Sequence, residues 1–251
     1  MKKLLVTVLA VGMTTTAFCQ KTFILSHQDK KGFFAASAGV SLPVGKFASC
    51  SSGDSRACMA EKGLAFNLSA GYRIAGPVGL MIRGEQHRNT VNTSALLKEL
   101  YPGETDVWTV KADSWSVTTM MAGPYVSLPV GGRFSVDARV LAGRAFAALP
   151  NTSLAGNFGQ TEMSVKTTGS QSTAVAYGGG ATIRYRLGRI TSLQLNADYS
   201  QASFTFNNLT STAISSDKRS ESLTYSSERV ISAVSISMGV AILFSTKYHP
   251  F

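Results

Sequence analysis

A glutamate and a histidine stand two positions apart in the segment RGEQHR of this sequence. Alternate residues of a β-strand point to the same side, so Glu85 and His87 share one face if the segment is extended. A histidine near a carboxylate and a serine hydroxyl is able to act as the general base of a hydrolase. His27 and His249 fall outside the predicted strands, which leaves His87 as the one base for an enzyme hypothesis. We favour the simpler interpretation, a hydrogen-bonded histidine without a catalytic role.

Charged residues recur with the same alternation on several other segments. They occupy one face of each predicted strand, and the opposite face is apolar. In a soluble protein with this arrangement the charged face would be buried and the apolar face exposed, the reverse of what soluble proteins show. We expect these side chains to meet inside the fold as ion pairs and hydrogen bonds, because isolated buried charges are costly to desolvate. The predicted polar network consists of Arg73, Arg83, Glu85, His87, Asp137, Arg139, Arg184 and Asp198.

Two cysteines border the Ser- and Gly-rich stretch CSSGDSRAC. An exported chain meets oxidising conditions, so we expect Cys50 and Cys58 to form a disulfide that staples a loop. A zinc site is the alternative, but two thiols without a nearby histidine or third cysteine are a poor ligand set. The sequence predicts no metal site and no cofactor.

The elements that must position these residues are strands, and the last of them, residues 230–244, shows the pattern most fully. Its even-numbered residues are mostly apolar and its odd-numbered residues mostly small, which indicates a strand with one apolar face and one face of small side chains. If earlier segments repeat the pattern, this strand pairs with the first one and closes the sheet into a barrel without an open edge.

Seven earlier segments alternate in the same way. Long connections near residues 44–62, 92–111, 149–171 and 207–227 take turns with short turns near 76, 130 and 188, as expected when one rim faces the cell exterior and the other the periplasm. Pro124 cannot donate a ladder hydrogen bond, so we expect a bulge or a locally missing bond there. The predicted strands are 34–43, 64–74, 79–91, 113–128, 134–143, 175–186, 193–200 and 230–244.

One long connection contains a short helical pattern, TSALLKELY. Thr93 is its candidate cap, and Pro102 with Gly103 ends it. We interpret it as a helix that covers its own loop. An amphipathic contact with lipid or a partner is the alternative.

The amino terminus has the pattern of a secretory signal peptide. Lys2 and Lys3 precede an apolar run that is too short to span a bilayer as a helix, and small residues follow. We predict a signal peptide over 1–19, a periplasmic lead-in over 20–32 and a barrel domain over 33–251. A lipoprotein acylated at Cys19 is the alternative, which the bulky Phe18 disfavours.

These observations predict an all-β fold, an eight-stranded antiparallel up-and-down transmembrane β-barrel. Most of the predicted strands are long enough for the roughly 9–11 residues that a tilted strand needs to cross a bilayer. A barrel of eight strands is just wide enough for side chains to fill it, so we expect a plugged lumen. A water-filled pore is the alternative. The expected aromatic girdle at the periplasmic interface contains Tyr72, Tyr125, Phe134, Tyr185 and Phe244.

The stretches GVSLPVGKF at 39–47 and AGPYVSLPVGGRFS at 122–135 carry a family resemblance. The chain resembles the small outer-membrane barrels of the OmpA and OmpX type, and in particular the outer-membrane β-barrel proteins common in Bacteroidetes. The resemblance implies insertion by the barrel-assembly machinery, which reads an aromatic residue at the end of the last strand. Phe244 ends the predicted strand and Phe251 ends the chain, so both are candidates for this assembly signal.

For function, we expect a non-enzymatic outer-membrane protein that acts through its cell-surface loops in adhesion, envelope integrity or surface interaction, with an extracellular partner that the sequence does not identify. The alternatives are an outer-membrane enzyme, such as a lipid A-modifying hydrolase, and a narrow small-solute channel. A formal net charge of +10 invites a nucleic-acid interpretation, but the basic residues form no continuous patch. We expect the basic residues near the outer rim to pair with lipopolysaccharide phosphates; these are Arg88, Arg144, Lys218 and Arg219. We expect the barrel surface to contact outer-membrane lipid.

Overall fold

The computed structural model describes residues 30–50, 57–100, 108–130, 132–158, 161–215 and 220–244. Predictions for the signal peptide, most of the lead-in, His27, His249, Lys218, Arg219 and Phe251 therefore fall outside the described residues. The strands within the described ranges are β1 (Gly32–Pro43), β2 (Ala60–Ala75), β3 (Val78–Val91), β4 (Trp108–Ala112), β5 (Trp115–Pro129), β6 (Phe134–Ala148), β7 (Thr152–Phe158), β8 (Thr161–Thr168), β9 (Gln171–Arg186), β10 (Thr191–Ser215) and β11 (Ser220–Phe244).

Eight of these strands form a closed antiparallel ring, in the order β1, β2, β3, β5, β6, β9, β10, β11. The ring closes between β11 and β1, whose register runs from Gly32 opposite Phe244 to Pro43 opposite Ala233. The predicted eight-stranded barrel and its closure by the last strand are confirmed. Closure removes the open sheet edges that a bilayer cannot accommodate.

Burial along the strands alternates between the two faces. On β11 the odd-numbered side chains from Ile231 to Ala241 are mostly buried, whereas Met238 on the other face is 67% exposed. The same alternation runs through β9 and β10, with large apolar side chains outside. The barrel therefore has a lipid-facing exterior and a filled interior.

The pairing of β5 is interrupted at its proline. Ladder pairs with β6 run up to Ala122 opposite Ala142 and resume at Tyr125 opposite Arg139 with the register unchanged. Pro124 has no N–H to donate, so the pairing is missing there without a bulge. Pairing with β3 on the other side continues through Pro124.

The long connections contain strands that the sequence analysis interpreted as loops. β10 and β11 are each 25 residues long and rise above the barrel as a hairpin, with a register shift between Phe206 and Leu209 where Asn208 has a φ of 58°. The upper part of β10 also pairs with β8, followed in order by β7 and β4. We call this five-stranded extension, formed by β4, β7, β8 and the upper parts of β10 and β11, the loop sheet. Ser- and Thr-rich segments with few large apolar residues gave too weak an alternation to predict it.

The predicted helix is present as α1 (Thr93–Leu100), and it contacts β4. Its N-terminus is capped by Asn92, whose Oδ1 accepts a hydrogen bond from the Ala95 N–H at 2.8 Å, and not by Thr93 as expected. Asparagine is one of the strongest N-cap residues, so the cap lies one position earlier. No helix among the described residues has the length and apolar character needed to cross a membrane.

Candidate functional site

The middle of the barrel interior holds a cluster of buried charges. Asp198 on β10 accepts from two arginines: Arg83 Nη2 lies 2.7 Å from its Oδ2, and Arg139 Nε lies 2.7 Å from its Oδ1. Arg83 also approaches Glu85, with Nε 3.4 Å from Oε2. Two guanidinium groups thus face two carboxylates, which leaves this cluster balanced in charge. Balance of this kind limits the desolvation cost of burying charges.

A glycine makes the central ion pair possible. In the sheet Gly180 of β9 stands opposite both Arg139 of β6 and Asp198 of β10. A Cβ added at Gly180 would clash with the Asp198 carboxylate. The two charged side chains therefore meet across β9 over a position that only glycine leaves open, as expected of a strand glycine that provides room for a large neighbour.

Uncharged polar side chains extend the cluster around the interior. Thr182 Oγ1 accepts from Arg139 Nη1 at 2.5 Å and donates to Asn196 Oδ1 at 2.7 Å. Asn196 Nδ2 donates in turn to Ser37 Oγ at 3.0 Å. Ser235 Oγ donates to Glu85 Oε1 at 2.6 Å. These hydrogen bonds link side chains from different strands of the ring. The side chains fill the space that a pore would need.

His87 lies at the extracellular end of the central cluster and is buried. Its Nδ1 is 3.0 Å from Ser41 Oγ, and its Nε2 is 3.7 Å from Glu85 Oε1, beyond hydrogen-bond length. Ser41 also donates to Asn89 Oδ1 at 3.0 Å. A serine, a histidine and a glutamate are thus in line, and all three are at most 2% exposed.

The remaining predicted network residues lie closer to the periplasmic rim. Arg184 Nη2 pairs with Asp137 Oδ2 at 2.9 Å, and the Arg184 guanidinium lies 4.2 Å from the centroid of the Phe33 ring. Arg73 is half-buried and donates to the Lys30 carbonyl. The eight residues predicted to form one network therefore form a central cluster of five (Arg83, Glu85, His87, Arg139, Asp198) and a separate group at the periplasmic mouth.

Tyr125 was predicted in the aromatic girdle, and this prediction is wrong. Its side chain is buried inside the barrel, edge-on to Phe33 with ring centroids 5.8 Å apart. It faces inward because β5 presents its largest apolar side chains, among them Trp115, to the lumen. An alternating pattern of apolar residues does not by itself say which face meets lipid, since both lipid and a packed plug accept apolar groups.

The extracellular half of the lumen is closed by aromatic packing that the sequence analysis missed. Phe47, from the turn of 3-10 helix after β1, lies edge-on to Trp115 with centroids 5.7 Å apart. Trp115 in turn contacts Phe206, which stacks with Phe204. The cavity that remains below this group is only about 10 Å³. We call these four side chains the aromatic plug.

The predicted Cys50–Cys58 disulfide is not formed. Cys58 is buried next to the aromatic plug, and its carbonyl accepts a hydrogen bond from Trp115 Nε1 at 3.1 Å. Cys50 is exposed, and its thiol points to the Ala48 carbonyl. The two thiols therefore lie in different environments, and a bond requires their Cβ atoms to face one another. No group of three or more metal-binding side chains occurs among the described residues.

The outer surface of the barrel carries the other predicted features. Tyr72 and Phe134 are exposed at the short-turn rim, Phe134 packs against Tyr185 at a centroid distance of 4.8 Å, and Phe244 stacks on Phe34 at 5.1 Å. Beside this girdle, the exposed Arg133 guanidinium lies 3.5 Å from the Tyr185 hydroxyl, and this hydrogen bond raises the pKa of Arg133. Arg88 and Arg144 are exposed towards the opposite rim, on the lipid-facing side of β3 and β6.

The loop sheet presents apolar side chains to solvent above the barrel. Leu223 is 65% exposed and Ile214 51% exposed, and Met163 and Tyr225 are also exposed. These residues lie beyond the length of strand needed to cross a bilayer. Leu223, Tyr225 and Met163 lie on one face of the loop sheet and Ile214 lies on the other. Exposed apolar side chains are found at protein interaction sites and at membrane contacts alike.

A model for the outer membrane protein beta-barrel domain matches residues 5–216. The chain belongs to this family of bacterial outer-membrane β-barrel proteins. Its place is accordingly the bacterial outer membrane, with the long connections at the cell surface and the short turns in the periplasm. No curated protein matches the chain.

Among solved structures, the chain is similar to the Neisserial surface protein A, with 14% identity, 85% of this chain and 97% of that chain covered, and a TM-score of 0.44. It is similar to Ail, the attachment invasion locus protein of Yersinia pestis, with 15% identity, coverage of 85% and 98%, and a TM-score of 0.40. A third similar structure is the outer membrane protease OmpT of Escherichia coli, with 7% identity, coverage of 86% and 98%, and a TM-score of 0.33.

Proposed function

We propose that this outer-membrane β-barrel is a closed scaffold that acts through its extracellular loops, in adhesion, envelope integrity or surface interaction. The observation that carries the proposal is the loop sheet, which extends β10 and β11 far beyond the bilayer and exposes Ile214 and Leu223. A second support is the filled lumen, whose charged cluster and aromatic plug leave little room for solute. Function on loops held by a rigid scaffold is common among proteins.

The structure suggests a clean way to remove part of the loop sheet. Leu149 and Ser170 are joined by a backbone hydrogen bond of 2.9 Å directly above β6 and β9. Replacing residues 150–169 with Asn-Gly would join these two positions by a two-residue hairpin turn and delete β7 and β8. Because β6 and β9 pair along their whole length without the deleted segment, the barrel should still fold.

The test compares attachment of cells that express the deletion variant with cells that express the intact chain at equal surface levels. We expect the variant to keep the gel mobility shift on boiling that marks a folded barrel and to lose the attachment phenotype. A double variant, Ile214→Ser with Leu223→Ser, should weaken attachment while leaving the strands in place. Unchanged attachment in both variants would contradict the loop proposal, and loss of folding in the deletion variant would contradict a modular role for the loop sheet.

An enzymatic function is the second candidate, and the contact between Ser41 Oγ and His87 Nδ1 is the observation in its favour. Burial of both residues argues against it, since a nucleophile must meet its substrate. His87→Ala tests the idea. We expect a folded barrel and an unchanged lipid A composition and envelope phenotype, whereas loss of a lipid A modification in a normally assembled variant would establish the enzyme.

A further inference from the structure

The periplasmic mouth of the barrel contains a cavity whose charge is unbalanced. Among the residues that the structure describes, six basic residues line it and no acidic residue does. This contrasts with the central cluster, where two arginines face two carboxylates. Asp137, which is not in the lining, binds Arg184 Nη2 through its Oδ2 at 2.9 Å, and its Oδ1 has no hydrogen-bond partner among the described residues. The basic residues in the lining are Lys30, Lys31, Arg73, Arg133, Arg184 and Arg186.

Two buried polar groups in the lining have no hydrogen-bond partner among the described residues. Arg184 is 9% exposed, and its Nε–H is unpaired although its Nη2 pairs with Asp137. Ser192 is fully buried, and its hydroxyl is unpaired. Buried donors without an acceptor cost free energy, and native proteins rarely leave them so. An acceptor bound in this cavity would satisfy both donors.

The cavity has the size of a small ion. Its volume is about 50 Å³, room for a few water molecules or one small tetrahedral anion, since one water needs on the order of 10–15 Å³. Ser127 and Ser135 add two more hydroxyl groups to its lining. Guanidinium and hydroxyl donors around a compact space are the groups that bind phosphate oxygens in proteins.

We infer that the periplasmic mouth is a binding site for a phosphate-type oxyanion, with Arg184 Nε and Ser192 Oγ as its inner donors and Arg133 among its outer cations. The anion would satisfy both unpaired donors and neutralise part of the excess positive charge. It is supplied either as free phosphate or as the headgroup phosphate of a phospholipid in the inner leaflet. The site is separate from the loop sheet, so it stands or falls independently of the proposed function.

The test uses the full chain folded in an uncharged detergent and titrated with sodium phosphate at constant ionic strength, with binding followed by calorimetry. We expect saturable binding of phosphate that chloride does not reproduce. Ser192→Ala should weaken phosphate binding about tenfold or more, because a hydrogen bond to a charged group is lost. Arg133→Gln should weaken it severalfold, since Arg133 is exposed and contributes mainly long-range attraction.

Arg144→Gln is the matched control, because it removes one positive charge from the opposite rim and should leave phosphate binding unchanged. Ser192→Ala also distinguishes a hydroxyl that binds phosphate from one that binds no ligand. If the hydroxyl has no ligand, its removal leaves phosphate titrations as in the intact chain, and this outcome would overturn the proposal. Absence of saturable phosphate binding by the intact chain would overturn it as well.

The source of the phosphate is resolved by repeating the titration in nanodiscs. Free phosphate should still bind in discs of phosphatidylglycerol if the natural ligand is a free ion. If the ligand is a headgroup, phosphatidylglycerol should abolish the binding of added phosphate, and Ser192→Ala should shorten the residence of this lipid on the barrel. Both results support an oxyanion site and differ only in what supplies the anion.

Discussion

At the scale of single residues, Asp198 holds the barrel interior together because it is the shared acceptor of Arg83 and Arg139. Removing its charge by Asp198→Asn would leave an excess of buried positive charge in the middle of the lumen. Breaking a buried ion pair in this way typically costs about 3–5 kcal/mol. We expect a loss of this size in the free energy of unfolding, measured by urea denaturation of the barrel in detergent micelles.

The control for this substitution is Glu221→Gln, which removes one negative charge from an exposed position on the loop sheet. It should change the free energy of unfolding by less than about 0.5 kcal/mol, as surface substitutions usually do. Equal stability of the two variants would show that the charge of Asp198 contributes nothing to the free energy of unfolding beyond the hydrogen bonds that an asparagine can also accept.

Gly180 provides a second residue-scale prediction. Gly180→Ala places a Cβ where the Asp198 carboxylate lies, so the carboxylate must move away from Arg139. We expect a loss of about 1–3 kcal/mol in the free energy of unfolding, the usual cost of overpacking. Gly84→Ala serves as the control, because its Cβ would meet no atom within 4 Å and should leave stability equal or higher. If Gly180→Ala left the free energy of unfolding unchanged, the ion pair between Arg139 and Asp198 would not depend on the space that the missing side chain of Gly180 leaves.

At the scale of elements, the end of β11 is expected to guide assembly. Phe244 closes the ring opposite Gly32 and stacks on Phe34 of β1 at a centroid distance of 5.1 Å. Phe244→Ala should therefore lower the amount of folded barrel in the outer membrane severalfold, measured as the heat-modifiable fraction in isolated membranes. Phe251→Ala is the matched comparison. A loss confined to Phe251→Ala would assign the assembly signal to the chain end and contradict the role of Phe244.

The elements that the sequence predicted well are those with two chemically different faces. Strand β11 alternates Ile236 and Met238 outside with Ser235 and Ser237 inside, so the face that it turns to lipid follows from the period of two, and its barrel-closing role was predicted correctly. Strand β5 is apolar on the face that meets the lumen, so periodicity located the strand but not the direction of Tyr125. The loop sheet escaped prediction because its Ser- and Thr-rich strands carry few large apolar residues, and their pairing depends on long-range partners that a local pattern does not contain.

The candidate site was predicted in part for the same reason. Alternation placed all eight charged residues on inward faces, but pairing depends on height along the barrel, and height follows from strand register. This is why Arg184 and Asp137 form a separate pair below the cluster of Arg83 and Asp198. Phe47 of the aromatic plug lies in a turn of 3-10 helix, where no periodic pattern of apolar residues could predict its position.

At the scale of the whole molecule, the interior is divided into three layers between the two rims. The periplasmic mouth is basic, the middle is a balanced polar network, and the extracellular half is an aromatic plug. With the lumen filled in this way, we expect the plug and the network to block the passage that a channel requires. A barrel of eight strands filled in this way is a rigid base on which loops of varied sequence are tolerated.

Single-channel recording of the folded barrel in planar lipid bilayers shows directly whether the lumen is plugged. We predict no discrete conductance steps for the intact chain at moderate voltages, because Asp198 with its arginines and the packing of Trp115 leave no continuous water path. Insertion is verified in the same preparation by the heat-modifiable mobility of the protein. Reproducible steps from the inserted, intact barrel would contradict the plugged lumen and favour a small-solute channel.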